Sequence, residues 1–217
     1  YLRKIKQVIG ERPINYLIIN HMEPDHSGSI RLIKQHYPEI IIVGNKQTFG
    51  MIEGFYGVTG EQYLVKEGDF LALGHHKLRF YMTPMVHWPE TMMTFDETDG
   101  VLFSGDGFGC FGTVDGGFLD TRINVDKYWG EMVRYYSNIV GKYGSPVQKA
   151  LQKLGGLPIS AICSTHGPVW TENIAKVIGI YDRLSRYDAD EGVVIAYGSM
   201  YGNTEQMAEA IAEELSA

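Results

Sequence analysis

The 217-residue chain carries a formal charge of −7 with 44% apolar and 21% charged residues, which fits a soluble globular protein and argues against nucleic acid as the main partner, because no basic block offsets the acid. No apolar run reaches the length that spans a bilayer, and residues 1–20 lack a signal-peptide layout. The two cysteines, Cys110 and Cys163, sit in dissimilar contexts and suggest no disulfide framework, so a reducing, cytoplasmic setting is the default.

The chain opens on Tyr1 and reaches its first buried strand, Tyr16-Leu17-Ile18-Ile19-Asn20, almost at once. Directly after it come His21-Met22-Glu23-Pro24-Asp25-His26, in which His21, Glu23, Asp25 and His26 are all of metal-ligand type. A strand alternates its side chains, so His21, Glu23 and Asp25 would share one direction if the backbone stayed extended, and Pro24 favours an extended Glu23. The alternative is a polar loop with an Asx-type turn and a helix N-cap at Ser27.

Ser27 to Tyr37 has helical apolar spacing, with Ser27 or Ser29 as cap and Pro38 as stop. Ile40-Ile41-Ile42-Val43 reads as a buried strand and Lys46 to Phe55 as a helix, so a sheet covered by helices is expected. From Gln62 the pattern changes to short runs, Tyr63-Leu64-Val65, Phe70 to Leu73 and Leu78 to Met82, that predict antiparallel strands. Asp99-Gly100 marks a hairpin between Met92-Met93-Thr94-Phe95 and Val101-Leu102-Phe103-Ser104, and Gly105 to Gly117 is irregular. Helices are predicted over Asp126 to Val140, Ser145 to Leu154 and Glu172 to Tyr187, with Asp126 and Ser145 as caps and a strand at Ile159 to Cys163. Asp188 to Gly192 is the best linker, followed by a parallel-type strand, Val193 to Tyr197, and a helix, Glu205 to Leu215. Both ends read as those of an internal segment of a longer protein.

Ligand-type residues recur where strands end: His87 in Val86-His87-Trp88-Pro89, Asp106 in Gly105-Asp106-Gly107, and His166 in Ser164-Thr165-His166-Gly167. Strand ends at one edge of a sheet are where separate segments converge on a site. Taken singly, a core histidine, a turn aspartate and a loop histidine would explain them. Together His21, Glu23, Asp25, His87, Asp106 and His166 offer three imidazoles and three carboxylates, enough for two metal ions with one carboxylate bridging. Such mixed ligation suits iron, and zinc accepts the same donors. His36, His75 and His76 lack this context and read as surface residues.

The run His-x-Glu-x-Asp-His, the later Val-His-Trp-Pro, Gly-Asp and Ser-x-His-Gly resemble the flavodiiron proteins over essentially the whole chain. The resemblance implies an α/β fold: a metallo-β-lactamase-like αββα sandwich over residues 1–188, then the first β-loop-α unit of a flavodoxin-like domain over residues 189–217. It implies a diiron centre with His21, Glu23 and His87 on one iron, Asp25 and His166 on the other, and Asp106 bridging. His26 matches the motif but ranks below these six. Hydrolases of the superfamily usually carry histidine where Glu23 stands and bind zinc, so Glu23 separates reductase from hydrolase.

Ser199-Met200-Tyr201-Gly202-Asn203-Thr204 is a hydroxyl-rich loop at a helix N-terminus, suited to a phosphate. It closely resembles the FMN phosphate loop of flavodoxins, although a plain strand-to-helix turn would use the same residues. The flavin-contacting loops of such a domain are absent from this chain, so the segment alone is expected to hold FMN poorly or not at all. The implied activity is electron transfer from FMN to the diiron site, reducing oxygen to water or nitric oxide to nitrous oxide. The donor would be a rubredoxin or a flavin or deazaflavin reductant, and the complete protein a head-to-tail homodimer, with no nucleic acid and no membrane as partner. Trp88 and Trp170 either line the pocket or exclude water as packing residues. Competing readings are a dizinc hydrolase, such as a thioesterase or phosphodiesterase, fused to a flavodoxin-like module, and a flavodoxin-type electron carrier with a degenerate partner domain.

Overall fold

The computed structural model describes residues 1–114 and 116–216, which divide into one compact unit over Tyr1–Tyr187 and a second from Asp188 onward. In the first unit the chain runs α1 (Leu2–Ile9), β1 (Tyr16–Ile18), α2 (Pro24–Ser27), α3 (Ile30–His36), β2 (Ile41–Gly44), α4 (Lys46–Tyr56), β3 (Gln62–Leu64), β4 (Phe70–Leu73), β5 (His76–Met82), β6 (Met92–Asp96), β7 (Val101–Gly105), α5 (Asp126–Tyr135), α6 (Gly144–Leu154), β8 (Ala161–Ser164) and α7 (Ile174–Ser185). The second unit contains α8 (Asn203–Ser216). Among the described residues no helix is long and apolar enough to cross a membrane.

Strands β1, β2 and β3 form a parallel sheet in that order. Strands β4 to β8 form a second sheet in sequence order, antiparallel as far as β7 and parallel between β7 and β8. The two sheets share a core of Val43, Val65, Leu71, Leu78, Phe80 and Met92. The outer face of the first sheet packs Ile19 and Ile42 against Ile30 and Ile52 from the helices. The outer face of the second packs Phe95, Leu102 and Ile162 against Met132, Tyr136, Val147, Val177 and Tyr181. Strand β6 lies in the middle, buried at all five residues, and its alternation sends Met92 into one core and Met93 and Phe95 into the other. Burial of each such side chain contributes about 1.5–3 kcal/mol. The result is the αββα sandwich implied by the resemblance.

Strand direction then decides where ligands gather. Strands β5 and β7 both run antiparallel to β6, and β8 runs parallel to β7, so the C-terminal ends of β5, β7 and β8 lie at one edge. The end of β1 is tied to the same edge by Asn20. Its amide donates to the Phe103 carbonyl (3.1 Å), its side-chain oxygen accepts from Thr94 Oγ1 (2.7 Å), and its backbone carbonyl accepts from Met92 N–H (3.0 Å).

Several local expectations need correction. A helix, α1, precedes the first strand, with Leu2, Ile5 and Ile9 half-buried along one face. The helix expected from Ser27 is two helices broken at Gly28-Ser29. A Cβ at Gly28 would lie 2.9 Å from the Pro24 carbonyl oxygen. Neither serine caps through its side chain; Ser27 Oγ instead donates to the Met22 carbonyl at 2.8 Å. Asp126 and Ser145 lie inside α5 and α6 rather than at their N-cap positions, which Val125 and Tyr143 occupy. Residues 136–140 form a π-helical turn rather than plain α-helix. Strand β3 pairs parallel to β2, because the α4 crossover returns the chain in the same direction. His76 is half-buried, with Nδ1 2.7 Å from Asp96 Oδ2, whereas His36 and His75 are exposed. In the second unit Val193 to Tyr197 is not a strand. A strand exists only when its backbone groups pair, and Val194 is 93% exposed.

Candidate metal centre

His21 follows β1, and Glu23 keeps an extended backbone (φ −60°, ψ 134°) as the N-cap position of α2. Pro24 does not block the helix: it occupies the first helical position, where its missing N–H costs nothing. Asp25 and His26 therefore lie on a helical turn, and the expectation that His21, Glu23 and Asp25 share one direction fails. The structure sorts the candidates into two groups instead, His21, Glu23, His87 and Asp106 in one, and Asp25, His26 and His166 in the other.

In the first group His87 Nε2 lies 3.0 Å from Glu23 Oε2, 3.2 Å from Asp106 Oδ2 and 3.3 Å from His21 Nε2. His21 Nε2 lies 3.5 Å from Glu23 Oε2 and 3.7 Å from Asp106 Oδ2. Donors about 2.1 Å from a common ion, at octahedral or tetrahedral angles, stand about 3.0–3.4 Å apart, so this spacing fits one ion. In the second group His166 Nε2 is 3.2 Å from Asp25 Oδ2 and 3.6 Å from Asp106 Oδ1, and His26 Nε2 is 4.0 Å from Asp106 Oδ1. Asp106 thus turns one oxygen to each group.

The buried polar atoms point the same way. Among the described residues Asp106 Oδ1 and the ring nitrogens of His26 are buried without a hydrogen bond, although Asp25 Oδ1 lies 2.8 Å from His26 Nδ1. This is the condition of groups that a cation would satisfy. The first group is the more enclosed, with His21 and Asp106 side chains 1% and 2% exposed and Glu23 33%, whereas Asp25 is 50% exposed and opens the second to solvent.

The turns after β7 and β8 aim these side chains. Gly105 adopts φ +57°, which a side chain would strain, and a Cβ at Gly107 would lie 3.1 Å from the Ser104 carbonyl oxygen, so the Gly-Asp-Gly order suits the tight turn that carries Asp106. Thr165 N–H donates to the Gly105 carbonyl (2.8 Å) and Cys110 N–H to the His166 carbonyl (3.3 Å), which binds the His166 loop to the Asp106 loop.

Charge shapes the titration. Burial disfavours the charged form of Asp106, but the His87 hydrogen bond and the surrounding imidazoles hold its carboxyl below the usual carboxylate range. Burial lowers the His26 pKa, and the carboxylates of Asp106 and Asp25 offset this only in part. For His87 burial also acts downward, yet Asp106 and Glu23 together carry it above the ordinary histidine value.

Three residues that the sequence reading passed over belong to this site. Glu90, fully buried, brings Oε1 2.6 Å from His21 Nδ1; its sequence signal is a carboxylate three residues after His87, beside Pro89. Tyr135 sets its ring 5.7 Å from that of His166, and burial together with the charge of Asp106 raises its hydroxyl pKa. Asn20, read as the last residue of a strand, is the tie described above. Trp88 packs edge-on against His21 at 5.2 Å. Trp170 is fully buried, donates Nε1–H to the Phe108 carbonyl and stacks on Trp129, the arrangement of a packing residue.

In the second unit Ser199 Oγ accepts from Gly202 N–H at 3.0 Å, which folds residues 199–202 into a turn at the start of α8. Met200 and Tyr201 are 85% and 86% exposed.

Residues 1–167 match the family model described as ODP family beta lactamase. A solved rubredoxin oxygen:oxidoreductase from Desulfovibrio gigas superposes with a TM-score of 0.92 at 30% identity, covering 99% of this chain and 55% of that one. The chain belongs to the ODP family and, within it, to the flavodiiron proteins. A mutant of the flavo di-iron protein from Thermotoga maritima gives a TM-score of 0.89 at 29% identity, over 100% of this chain and 55% of its own. The anaerobic nitric oxide reductase flavorubredoxin of Shigella dysenteriae is 31% identical over 220 residues, which is 100% of this chain and 46% of the relative. This flavodiiron chain therefore spans about half the length of the relatives it matches. Family membership bears out the resemblance drawn from the sequence motifs.

Proposed function

We propose that this chain carries the metal centre of a flavodiiron oxidoreductase that reduces oxygen to water or nitric oxide to nitrous oxide. His21, Glu23 and His87 would hold one iron, Asp25 and His166 the other, with His26 beside the second and Asp106 bridging. When bound, the two irons supply one-electron redox chemistry at adjacent sites. The observation that carries this reading is the division of the Asp106 carboxylate, Oδ2 toward His87 and Oδ1 toward His166. Glu23, Asp25 and Asp106 bring three negative charges to the pair, and hard anionic donors favour the ferric state that a reductase must reach. Trp88 covers His21 on one side, and Tyr135 lies against His166 on another. Trp88 excludes water from the enclosed group and Tyr135 from one side of the other.

In the same reading residues 1–188 are the diiron domain and residues 189–217 begin a flavodoxin-like domain. There Ser199, Met200, Tyr201, Gly202, Asn203 and Thr204 would receive the FMN phosphate at the positive end of α8. Electrons would come from a rubredoxin or a flavin or deazaflavin reductant in the cytoplasm. A head-to-tail homodimer would set one subunit's flavin near the other's metal pair. The names of the relatives, a nitric oxide reductase and a rubredoxin oxygen:oxidoreductase, support both gases and this type of donor.

The test is consumption of each gas by the full-length protein loaded with iron and FMN, dosed separately with oxygen and nitric oxide and followed with electrodes. Reductant-dependent uptake of either supports the reading. Two zinc ions per chain and no uptake would favour a dizinc hydrolase, the reading for which the beta-lactamase description of the family speaks.

A further inference from the structure

A carboxylate with no exposed surface is expensive to bury, by several kcal/mol unless its oxygens are compensated. Glu90 is 0% exposed, and among the described residues its ion-pair partner is His21. Oε1 accepts from His21 Nδ1 at 2.6 Å and from Met22 N–H at 2.9 Å, while Oε2 has no hydrogen-bond partner. Holding a backbone amide in this loop does not require an anion. The neighbouring Asn45 performs such a task with a neutral amide, donating to the Glu90 carbonyl at 2.6 Å while its own oxygen accepts from the Gln47 and Thr48 amides at the start of α4. What a neutral acceptor supplies less well is a firm hold on the imidazole proton. A carboxylate at Nδ1 fixes that proton there and leaves the Nε2 lone pair facing Glu23, His87 and Asp106.

The second group is built differently. There the carboxylate beside an imidazole is Asp25, whose Oδ1 lies 2.8 Å from His26 Nδ1 without hydrogen-bond geometry and whose side chain is half exposed. The first position is therefore braced by a fully buried carboxylate, the second by one that is half open to solvent.

Resting on the two-metal reading, we propose that Glu90 is the positioning residue of the enclosed position: it orients His21 through Nδ1 and makes this the position that fills first and binds tighter. Glu90 touches neither substrate nor metal, and acts through His21 and through the Met22 amide, which fixes the backbone between His21 and Glu23.

Anaerobic titration of the metal-free protein with Fe(II), followed calorimetrically, tests this. The wild type is expected to take up two equivalents in two distinguishable steps. Glu90→Ala weakens the tighter step by about 10- to 100-fold and leaves the weaker one within about threefold. Glu90→Gln, nearly isosteric and still able to accept from Nδ1, recovers part of that loss. Melting of the metal-free variants is measured in parallel. If the tighter step in Glu90→Ala equals that of the wild type, the proposal is overturned. Equal weakening of both steps with a lower metal-free melting temperature, unrelieved in Glu90→Gln, also overturns it, because a merely structural clamp behaves that way. A wild type that takes up fewer than two equivalents overturns the two-metal reading itself, an outcome read before any variant is compared.

Discussion

His166 Nε2 stands 3.6 Å from Oδ1 of Asp106, an oxygen that is buried and accepts no hydrogen bond, while Oδ2 of the same carboxylate is 3.2 Å from His87. An unpaired buried acceptor costs about 1–3 kcal/mol. The fold sustains that cost at the point where the two groups meet, which is what a bridging ligand requires and a turn-forming aspartate does not.

Asp106→Asn separates these roles. The amide keeps the volume and removes the charge that is shared between the groups. Metal bound per chain should fall from about two to below one by elemental analysis. Retention of two ions in the variant would show that the groups bind independently.

Glu23→His recreates the donor set usual in hydrolases of this superfamily. Glu23 Oε2 lies 3.0 Å from His87 Nε2, so an imidazole there would still reach the enclosed position. With one hard donor fewer, competition between Fe(II) and Zn(II) should shift toward zinc by roughly tenfold or more, and reductant-driven gas uptake should be lost. An unchanged iron-to-zinc ratio would remove Glu23 as the discriminating residue.

The strand ends carrying His21, His87, Asp106 and His166 are legible because each follows a short run rich in apolar and β-branched or aromatic residues, the trace of a strand in a sheet. The division of the ligands is not legible. It depends on whether Pro24 ends an extended segment or starts a helix, and both satisfy its fixed φ. The role of Glu90 is hidden for a related reason: a lone carboxylate after Pro89 looks like loop polarity until β5 and β6 fold it beneath His21. Strand β3 and residues 193–197 show the complementary limit. Their patterns describe side chains, whereas pairing and direction are set by neighbours elsewhere in the chain.

Asn20→Ala tests the tie that brings β1 to the second sheet. The substitution leaves the Phe103 carbonyl and the Thr94 hydroxyl without their partner. Unfolding free energy in urea should drop by roughly 1–3 kcal/mol. Because His21 is the next residue, Fe(II) affinity should drop with it, whereas a surface Asn→Ala change would move neither. A variant that is as stable and as tight as the wild type would assign the alignment of β1 to core packing alone.

Asp120 predicts a pH dependence remote from the metal centre. Its Oδ1 accepts from the Thr171 amide and hydroxyl (3.1 and 2.6 Å), and Oδ2 from the amides of Glu172 and Asn173 and the Asn173 side chain (3.1, 2.9 and 2.9 Å), just ahead of α7. Burial acts to raise the carboxyl pKa, but these hydrogen bonds outweigh it and the folded value lies below the ordinary one. A folded pKa below the unfolded value of about 3.9 means that the stabilisation is complete above that pH and is lost as pH falls through it toward the folded value. Asp120→Asn lacks this contribution. It should be less stable than the wild type by roughly 1–3 kcal/mol at pH 7, and the gap should narrow between about pH 5 and pH 3 as the wild-type carboxylate takes up its proton. Urea midpoints for both proteins across that range measure the gap directly, and a difference independent of pH would assign the Asp120 contribution to shape rather than charge.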